Sequence, residues 1–367
     1  MARLDIEGLC KGWDFPVLDE LSFSVDEGEF FVIVGPSGVG KTTLLRLIAG
    51  LENPDAGKVL VDGEDVTRRP PYRRRIAMTF ESYALYPHMT VYDNIASPLR
   101  ARKTSRGEID KRVNEVAQLL RIEHLLARKP GEVSGGQKQR TALGRTLVAD
   151  PEVFLLDEPL SHLDAKIRHE LRSQFHTLEA LRKVASVYVT HDYSEALSLG
   201  DRIGVMGQGG RLIQVGQPRE LFEQPVSQFV AEHLGQPTIN LLRARLHRHQ
   251  DQLMVQLDGS TVGMPVDPKH TKALDRAGVE EITLGLRPQH LRPSDEMSSG
   301  IALPATVDIF EALGSMGIMI AQTEGIKITA LTSPERHFRP QESVALHADT
   351  SSFLYFDADS GRNLMLT

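Results

Sequence analysis

The chain has 367 residues, 41% of them hydrophobic and 25% charged, which allows two or three domains at roughly 150 residues each and excludes a disordered or fibrous polypeptide. Lys+Arg number 42 against 49 Asp+Glu, a net charge of -7 that supplies no global pull toward nucleic acid or anionic lipid. Cys10 is the single cysteine, so no intrachain disulfide forms and a thiolate metal cluster would need other ligands, as suits a reducing compartment; Met1 to Cys10 lacks the apolar stretch of a secretion signal, and no apolar run approaches the length of about 18 residues that spans a bilayer, so membrane contact is expected to be peripheral.

In chain order, the apolar run Phe30 to Val34 predicts a buried strand, followed by a Gly-rich turn and a helix over Lys41 to Ala49. Gln137 to Leu147 and Ala165 to Arg182 carry apolar residues at helical spacing, and Val153 to Leu156 and Val187 to Thr190 read as further buried strands. This alternation predicts an α/β sheet. Beyond Leu234 the texture changes to short strand-like segments, Thr283 to Leu286, Ile318 to Ala321, Lys327 to Leu331 and Phe353 to Phe356, separated by Gly, Pro, Ser and Asp. They predict a smaller β domain over 236–367, joined to a first domain over 1–235 at Gly235-Gln236-Pro237, where Gly and Pro end the helical pattern Phe229 to His233.

The segment Gly35-Pro36-Ser37-Gly38-Val39-Gly40-Lys41-Thr42-Thr43 has the spacing of a phosphate-binding loop and lies between the strand and the helix that such a loop requires. Glycines let backbone N–H groups turn around phosphate oxygens at a positive helix start, Lys41 adds a point charge, and Thr42 offers a hydroxyl oxygen to Mg²⁺. Val153 to Pro159 reads VFLLDEP, a strand ending in two acids at the edge where a parallel sheet presents its ligands. Asp157 suits a metal and Glu158, pointing elsewhere because strand residues alternate, suits the attacking water. Two acids capping a following helix is the plainer alternative. These two motifs together predict a nucleoside-triphosphate hydrolase of unspecified kind.

A third segment, Val133-Ser134-Gly135-Gly136-Gln137-Lys138-Gln139-Arg140, resembles the signature of ATP-binding-cassette (ABC) ATPases. The remaining elements of that family follow in order: Trp13, the segment Phe80 to His88, the turn Ser161-His162-Leu163-Asp164, and Thr190-His191-Asp192. The resemblance implies an α/β P-loop NTPase with a RecA-like core, a helical subdomain within about 85–150 and a C-terminal β-barrel-like regulatory domain. It implies that Trp13 stacks on adenine, although a packed or surface aromatic is the alternative. It further implies that His191 meets the γ-phosphate and attacking water, that Glu81 joins Thr42 and Asp157 at the metal, and that Ser134, Gly135, Gly136 and Gln137 contact ATP bound by the opposite subunit. Asp164 is implied at the dimer interface, and a helix N-cap role is compatible with it.

The segment from Ser82 to Ile95 and the later Gly285-Leu286-Arg287-Pro288 most resemble the ATPase subunits of carbohydrate and polyol importers, whose C-terminal domain is an oligosaccharide-binding-like (TOBE) module. ATP and Mg²⁺ are the cofactors so implied. The implied partners are two membrane-spanning permease subunits, a second ATPase subunit that is the same chain or a homologue, and an extracytoplasmic solute-binding protein. No nucleic acid is expected. The implied location is the cytoplasmic face of the inner (plasma) membrane, with sugar, polyol, glycerol phosphate, polyamine or metal complex left open as the solute. The surface from Glu81 to His88 is implied as the permease-docking site, with Tyr83 and Tyr86 either at that interface or packed inside.

Three residues depart from the family pattern. Glu81 stands where Gln is usual, keeping an oxygen ligand but adding a charge that repels phosphate oxygens, so slower turnover is expected. His162 replaces a small or amide residue, and Val133 replaces Leu. The basic run Arg68 to Arg75 is expected to be a solvated turn.

Overall fold

The computed structural model describes residues 3–161, 163–175, 183–261, 263–293 and 301–366, so His162 lies outside the described residues. Chain contacts divide it into Met1–Arg219 and Glu220–Thr367.

In the first unit β1 (Leu4–Gly12) and β2 (Pro16–Val25) form a hairpin, β3 (Phe30–Val34) leads into α1 (Lys41–Ala49), and β4 (Ala56–Val61) and β5 (Glu64–Asp65) return beside β1. β6 (Ile76–Thr79) precedes three helices, α2 (Val91–Ala101), α3 (Arg106–Leu119) and α4 (Gly135–Leu147). Then come β7 (Val153–Asp157), α5 (Ala165–Phe175), β8 (Ala185–Thr190), α6 (Tyr193–Leu199), β9 (Arg202–Met206) and β10 (Leu212–Gly216). The strands make two sheets, one ordered β2-β1-β4-β5 and antiparallel, the other ordered β10-β9-β3-β8-β7-β6 and parallel except at β10. Strands β3, β7 and β8 are buried at every position, as a parallel sheet covered on both faces requires, and their sequences are accordingly continuous apolar runs rather than alternating ones.

Leu44, Leu45, Leu47 and Ile48 of α1 are fully buried in a core that takes side chains from both sheets. This packing fixes the helix's start against the end of β3. Its far end is fixed by an unexpected residue. Arg74, in the run expected to be solvated, is 2% exposed and gives its guanidinium hydrogens to the carbonyls of Leu47 and Ile48 at 2.8 Å, Thr67 at 2.7 Å and Arg69 at 2.9 Å. It thereby satisfies the carbonyls that a helix leaves open at its C-terminus. Gly50 makes room for it: φ is +76°, and a Cβ there would lie 2.4 Å from Arg74 Nε. The neighbours behave as expected of a surface, Arg69 pairing with Glu64 and Arg75 with Glu152.

The second unit begins within the short helix Pro218–Glu223 and continues through α7 (Gln228–His233), β11 (Asn240–His249), β12 (Gln252–Leu257), β13 (Gly263–Pro265), α8 (Pro268–Ala277), β14 (Glu281–Leu286) and β15 (Leu291–Pro293). It ends with β16 (Ile301–Ala312), β17 (Gly317–Thr323), β18 (Ile326–Thr332), β19 (Ser343–Ala348) and β20 (Leu354–Asp357). The β-barrel-like expectation takes the form of two five-stranded antiparallel sheets, β13-β12-β11-β14-β20 and β15-β19-β16-β17-β18, whose alternate residues share one core. Asn240 joins them, giving Nδ2 to the carbonyls of Leu286 and Thr329 and accepting Thr329 N–H at 2.7 Å. No helix among the described residues is long and apolar enough to cross a membrane.

Replacing Arg74 by Met takes a donor from four carbonyls, of which, among the described residues, only that of Leu47 keeps another, the Gly50 N–H at 3.1 Å, so Arg74→Met is expected to destabilise the first unit by about 3 kcal/mol. Urea unfolding followed by Trp13, the single tryptophan, reads this as a lower midpoint with unchanged slope; a midpoint within error of the parent would contradict it.

Candidate active site

The helix start of α1 differs from those of α2, α4 and α6, and, unlike the exposed start of α3, whose Ser105 also makes no side-chain cap bond, it is buried. Thr90 caps α2 by accepting Asp93 N–H, Ser134 and Gln137 form a reciprocal capping box on α4, and Asp192 caps α6. The N-cap of α1 is Gly40, with φ at +106° and no side-chain hydrogen bond. Its first-turn N–H groups are therefore left for something else, and they point where an anion is most favoured. Gly38 also takes a left-handed φ of +83°, and Gly35 lies so close to β9 that a Cβ would come 2.3 Å from the Met206 carbonyl. Lys41, 6% exposed, folds back to donate Nζ to the carbonyls of Gly35 and Pro36 at 2.8 Å.

A cavity of about 630 Å³ opens in front of this turn. Trp13, Ser37, Gly38, Gly40, Lys41, Thr42, Thr43, Glu81, Glu158 and His191 line it, so most of the residues singled out in the sequence converge on one place. Asp157, 2% exposed, reaches it through Thr42, whose hydroxyl donates to Asp157 Oδ1 at 3.2 Å. Glu158 and Asp157 do point differently, but alternation is only part of the cause. Glu158 leaves the strand in a left-handed conformation, φ +44°. Its N–H is held by the Val189 carbonyl of β8 and its own carbonyl by Gln139 Nε2 of α4 at 3.1 Å. Its carboxylate Oε2 lies 3.0 Å from His191 Nδ1, a contact in which an ionised carboxylate accepts a hydrogen from Nδ1.

Electrostatically, three carboxylates surround one lysine. Burial lowers the Lys41 pKa, and Glu158, Asp157 and Glu81 oppose that. Burial raises Asp157 to about 6, Thr42 opposes the rise, and the charges of Glu81 and Glu158 add to it. Lys41 is one positive charge against three acids, and the negative charge left over is the deficit a hard divalent cation corrects. Among the described residues no group of three His, Cys, Asp or Glu side chains is arranged to hold a metal alone. A cation here thus needs the Thr42 hydroxyl and oxygens from outside the protein, the habit of Mg²⁺ beside phosphates.

Ser134, Gly135, Gly136 and Gln137 do not line the cavity; Ser134 and Gly135 are exposed at the start of α4. Asp164 accepts Ile167 N–H at 2.9 Å in the first turn of α5, an N-cap contact. Ser161, of the turn named in the sequence, also lines the cavity. Three neighbours were not singled out by the sequence: Phe15 and Val17 line the cavity, and Thr79 Oγ1 accepts Asp157 N–H at 3.0 Å. Phe15, 69% exposed beside Trp13 at 60%, carried a signal in its spacing, two aromatics one residue apart in a polar hairpin turn.

The segment after Glu81 is unusually constrained. Tyr83 and Ala84 are consecutive non-glycine residues with φ of +63° and +46°, each costing roughly 1–2 kcal/mol against the right-handed form. Buried Asn94 of α2 pins the far end, exchanging hydrogen bonds with the N–H and carbonyl of Tyr86.

A family model described as ABC transporter matches residues 18–161, and one described as TOBE domain matches residues 284–356. The sn-glycerol-3-phosphate import ATP-binding protein of Yersinia enterocolitica is 40% identical over 365 residues, spanning 98% of this chain and 99% of its own. The osmoprotective compounds uptake ATP-binding protein of Synechocystis is 41% identical, spanning 98% of each chain. The trehalose/maltose import ATP-binding protein of Thermococcus litoralis is 43% identical, spanning 94% of each. Among solved structures, a dimeric bacterial ABC transporter cassette aligns with a TM-score of 0.55 at 29% identity, over 59% of this chain and 99% of its own. A post-hydrolysis state of such a cassette, bound to ADP and Pi, aligns at 0.54 and 30% over the same shares.

The glycine geometry separates two substitutions. Gly38→Ala meets open space and bears only backbone strain, about 1–2 kcal/mol, whereas Gly35→Ala drives a Cβ into the Met206 carbonyl. Gly35→Ala is therefore expected to lower the thermal midpoint more than Gly38→Ala; the reverse order would refute this account of the loop.

Proposed function

Because the chain belongs to the ABC transporter family of ATP-binding proteins, we propose that it is the ATP-hydrolysing motor subunit of an importer for a carbohydrate, polyol or phosphorylated polyol, with the cavity at the start of α1 as its catalytic half-site. The observation that carries the reading is the convergence of an uncapped helix start, Lys41, the Thr42–Asp157 pair and the Glu158–His191 pair on that one cavity.

In this reading the Gly35–Thr43 loop and Lys41 hold the phosphates, and Trp13 with Phe15 offers the aromatic surface for adenine. Thr42, Asp157 and Glu81 are the residues that would hold Mg²⁺, which when bound neutralises charge on the β- and γ-phosphate oxygens. Glu158 takes a proton from water as the water oxygen bonds to the γ-phosphorus, while the bond from that phosphorus to the bridging oxygen breaks and ADP leaves with the electron pair. His191, fixed by Glu158, keeps Nε2 for the water or the leaving phosphate.

The signature Ser134 to Gln137 completes the site of a second ATPase subunit, the same chain or a homologue, and Asp164 lies on the facing surface. Closure of that pair is the stroke: ATP shifts the equilibrium by contacts present only when the two chains meet. Two permease subunits dock on the face carrying Glu81 to His88. There Tyr86 is 45% exposed beside a cavity of about 290 Å³ lined by Ser97, Pro98 and Arg145. An external solute-binding protein delivers the solute, and the chain works peripherally at the cytoplasmic face of the membrane.

Glu158→Gln is expected to lower ATP turnover by about 10² or more while magnesium nucleotide still perturbs Trp13 fluorescence. Glu81→Gln is expected to raise turnover, because it removes a charge facing the phosphates. Undiminished turnover in Glu158→Gln would end the proposed catalytic assignment.

A further inference from the structure

Arg145 sits near the end of α4, most of its guanidinium removed from solvent, and burial lowers its pKa. Among the described residues it makes no ion pair. Its fork is directed at backbone instead: one terminal nitrogen donates to the Ala84 carbonyl at 2.8 Å and the other to the Tyr83 carbonyl at 3.0 Å, with the Tyr86 ring 5.6 Å from its centre. A half-buried cation spent on two backbone carbonyls gives up part of its hydration to hold one backbone geometry. Those carbonyls belong to the two left-handed residues that follow Glu81. The same helix touches the segment again at its first turn, where a Cβ on Gly135 would lie 4.0 Å from the Tyr83 hydroxyl.

We propose that Arg145 is a positioning residue, which holds Tyr83 and Ala84 in their left-handed conformation and thereby keeps the Glu81 carboxylate in the nucleotide cavity. The inference rests on the reading of that cavity given above and extends it to a residue outside the cavity. Without the fork, the segment relaxes toward right-handed backbone and Glu81 is carried away from Thr42 and Asp157. Because α4 begins at Ser134, the clamp also ties the placement of Glu81 to the helix that presents the signature.

The test uses the full chain, with Trp13 fluorescence reporting nucleotide and Mg²⁺ as the titrant at fixed ADP. Arg145→Ala is expected to raise the Mg²⁺ midpoint about five- to tenfold, while ADP affinity at saturating Mg²⁺ changes by less than about twofold. Arg145→Lys, which keeps the charge but not the fork, is expected to fall between, and it carries the test should Arg145→Ala fail to fold. Two further variants separate positioning from bulk stability. Ala84→Gly accepts the left-handed conformation without strain, so it should leave the midpoint near the parent's alone and recover at least half of the logarithmic shift when combined with Arg145→Ala. In a Glu81→Ala background Arg145→Ala should add nothing, since both act through one carboxylate.

An Arg145→Ala midpoint equal to the parent's, a double variant no better than Arg145→Ala, or additive effects with Glu81→Ala would each overturn the clamp. A parent chain whose Trp13 emission ignores magnesium nucleotide would overturn the nucleotide reading, and the clamp with it, a failure distinguishable because it precedes any substitution.

Discussion

The first unit depends on the start of α1, a buried helix start that no side chain closes and that opens on a cavity. Where α2, α4 and α6 each satisfy their first-turn N–H groups with a Thr, a Ser–Gln box or an Asp, α1 begins at a glycine with φ +106° and nothing to accept. An uncapped helix in the interior is unstable unless packing elsewhere compensates for it. Here the compensation is visible at both ends of the helix: full burial of its leucines between two sheets, and Arg74 with Gly50 completing its C-terminus. The donors at the front are then free to serve a ligand because the back of the helix does not depend on them.

Charge placement follows from the same start. Strands β3, β7 and β8 run parallel and adjacent, so their carboxyl ends deliver the phosphate-loop turn, Asp157 and Thr190 to one edge. A sheet so buried has few ways to keep acids there, and two of them are held in place: Asp157 by the Thr42 hydroxyl and by its own N–H on Thr79, Glu158 through its backbone, on the Val189 carbonyl and Gln139, and through its carboxylate, against His191. On the proposed reading, the excess of negative charge over the single Lys41 is balanced by the cation that the nucleotide brings with it. That links the fold to the chemistry more tightly than any one residue.

Much of this was legible in the chain because buried parallel strands and an amphipathic helix leave strong patterns. Phe30–Val34 and Lys41–Ala49 are read from apolar runs and glycine spacing, and the structure gives those residues the same bounds. The later strands are longer than their sequence centres, since β14, β17 and β18 extend one to two residues further, through residues such as Glu281, Gln322 and Thr332 that pair with neighbouring strands. Tertiary burial was less visible. Arg74 lies among arginines that face solvent, and only its distant carbonyl partners make it different. Glu158 could be assigned a direction by alternation, yet its left-handed backbone is imposed by β8 and α4. Tyr83 and Ala84 give no sign in their identities of a conformation usually reserved for glycine, because the cause is an arginine far along the chain.

On the proposed reading this chain carries two anion nests, and they are built differently. The start of α1 is buried, lacks a cap and opens on a cavity with acids around it; the start of α4 is exposed, and its capping box closes Ser134 against Gln137. A capping box already satisfies donors, so the second nest has less to gain from a free anion in water than the first. It becomes useful when something else brings the phosphate to it, already bound and already charge-compensated. On the proposed reading that carrier is the first nest of a second subunit. The asymmetry between a nest that binds and a nest that only completes makes contact between chains depend on nucleotide, as a motor requires.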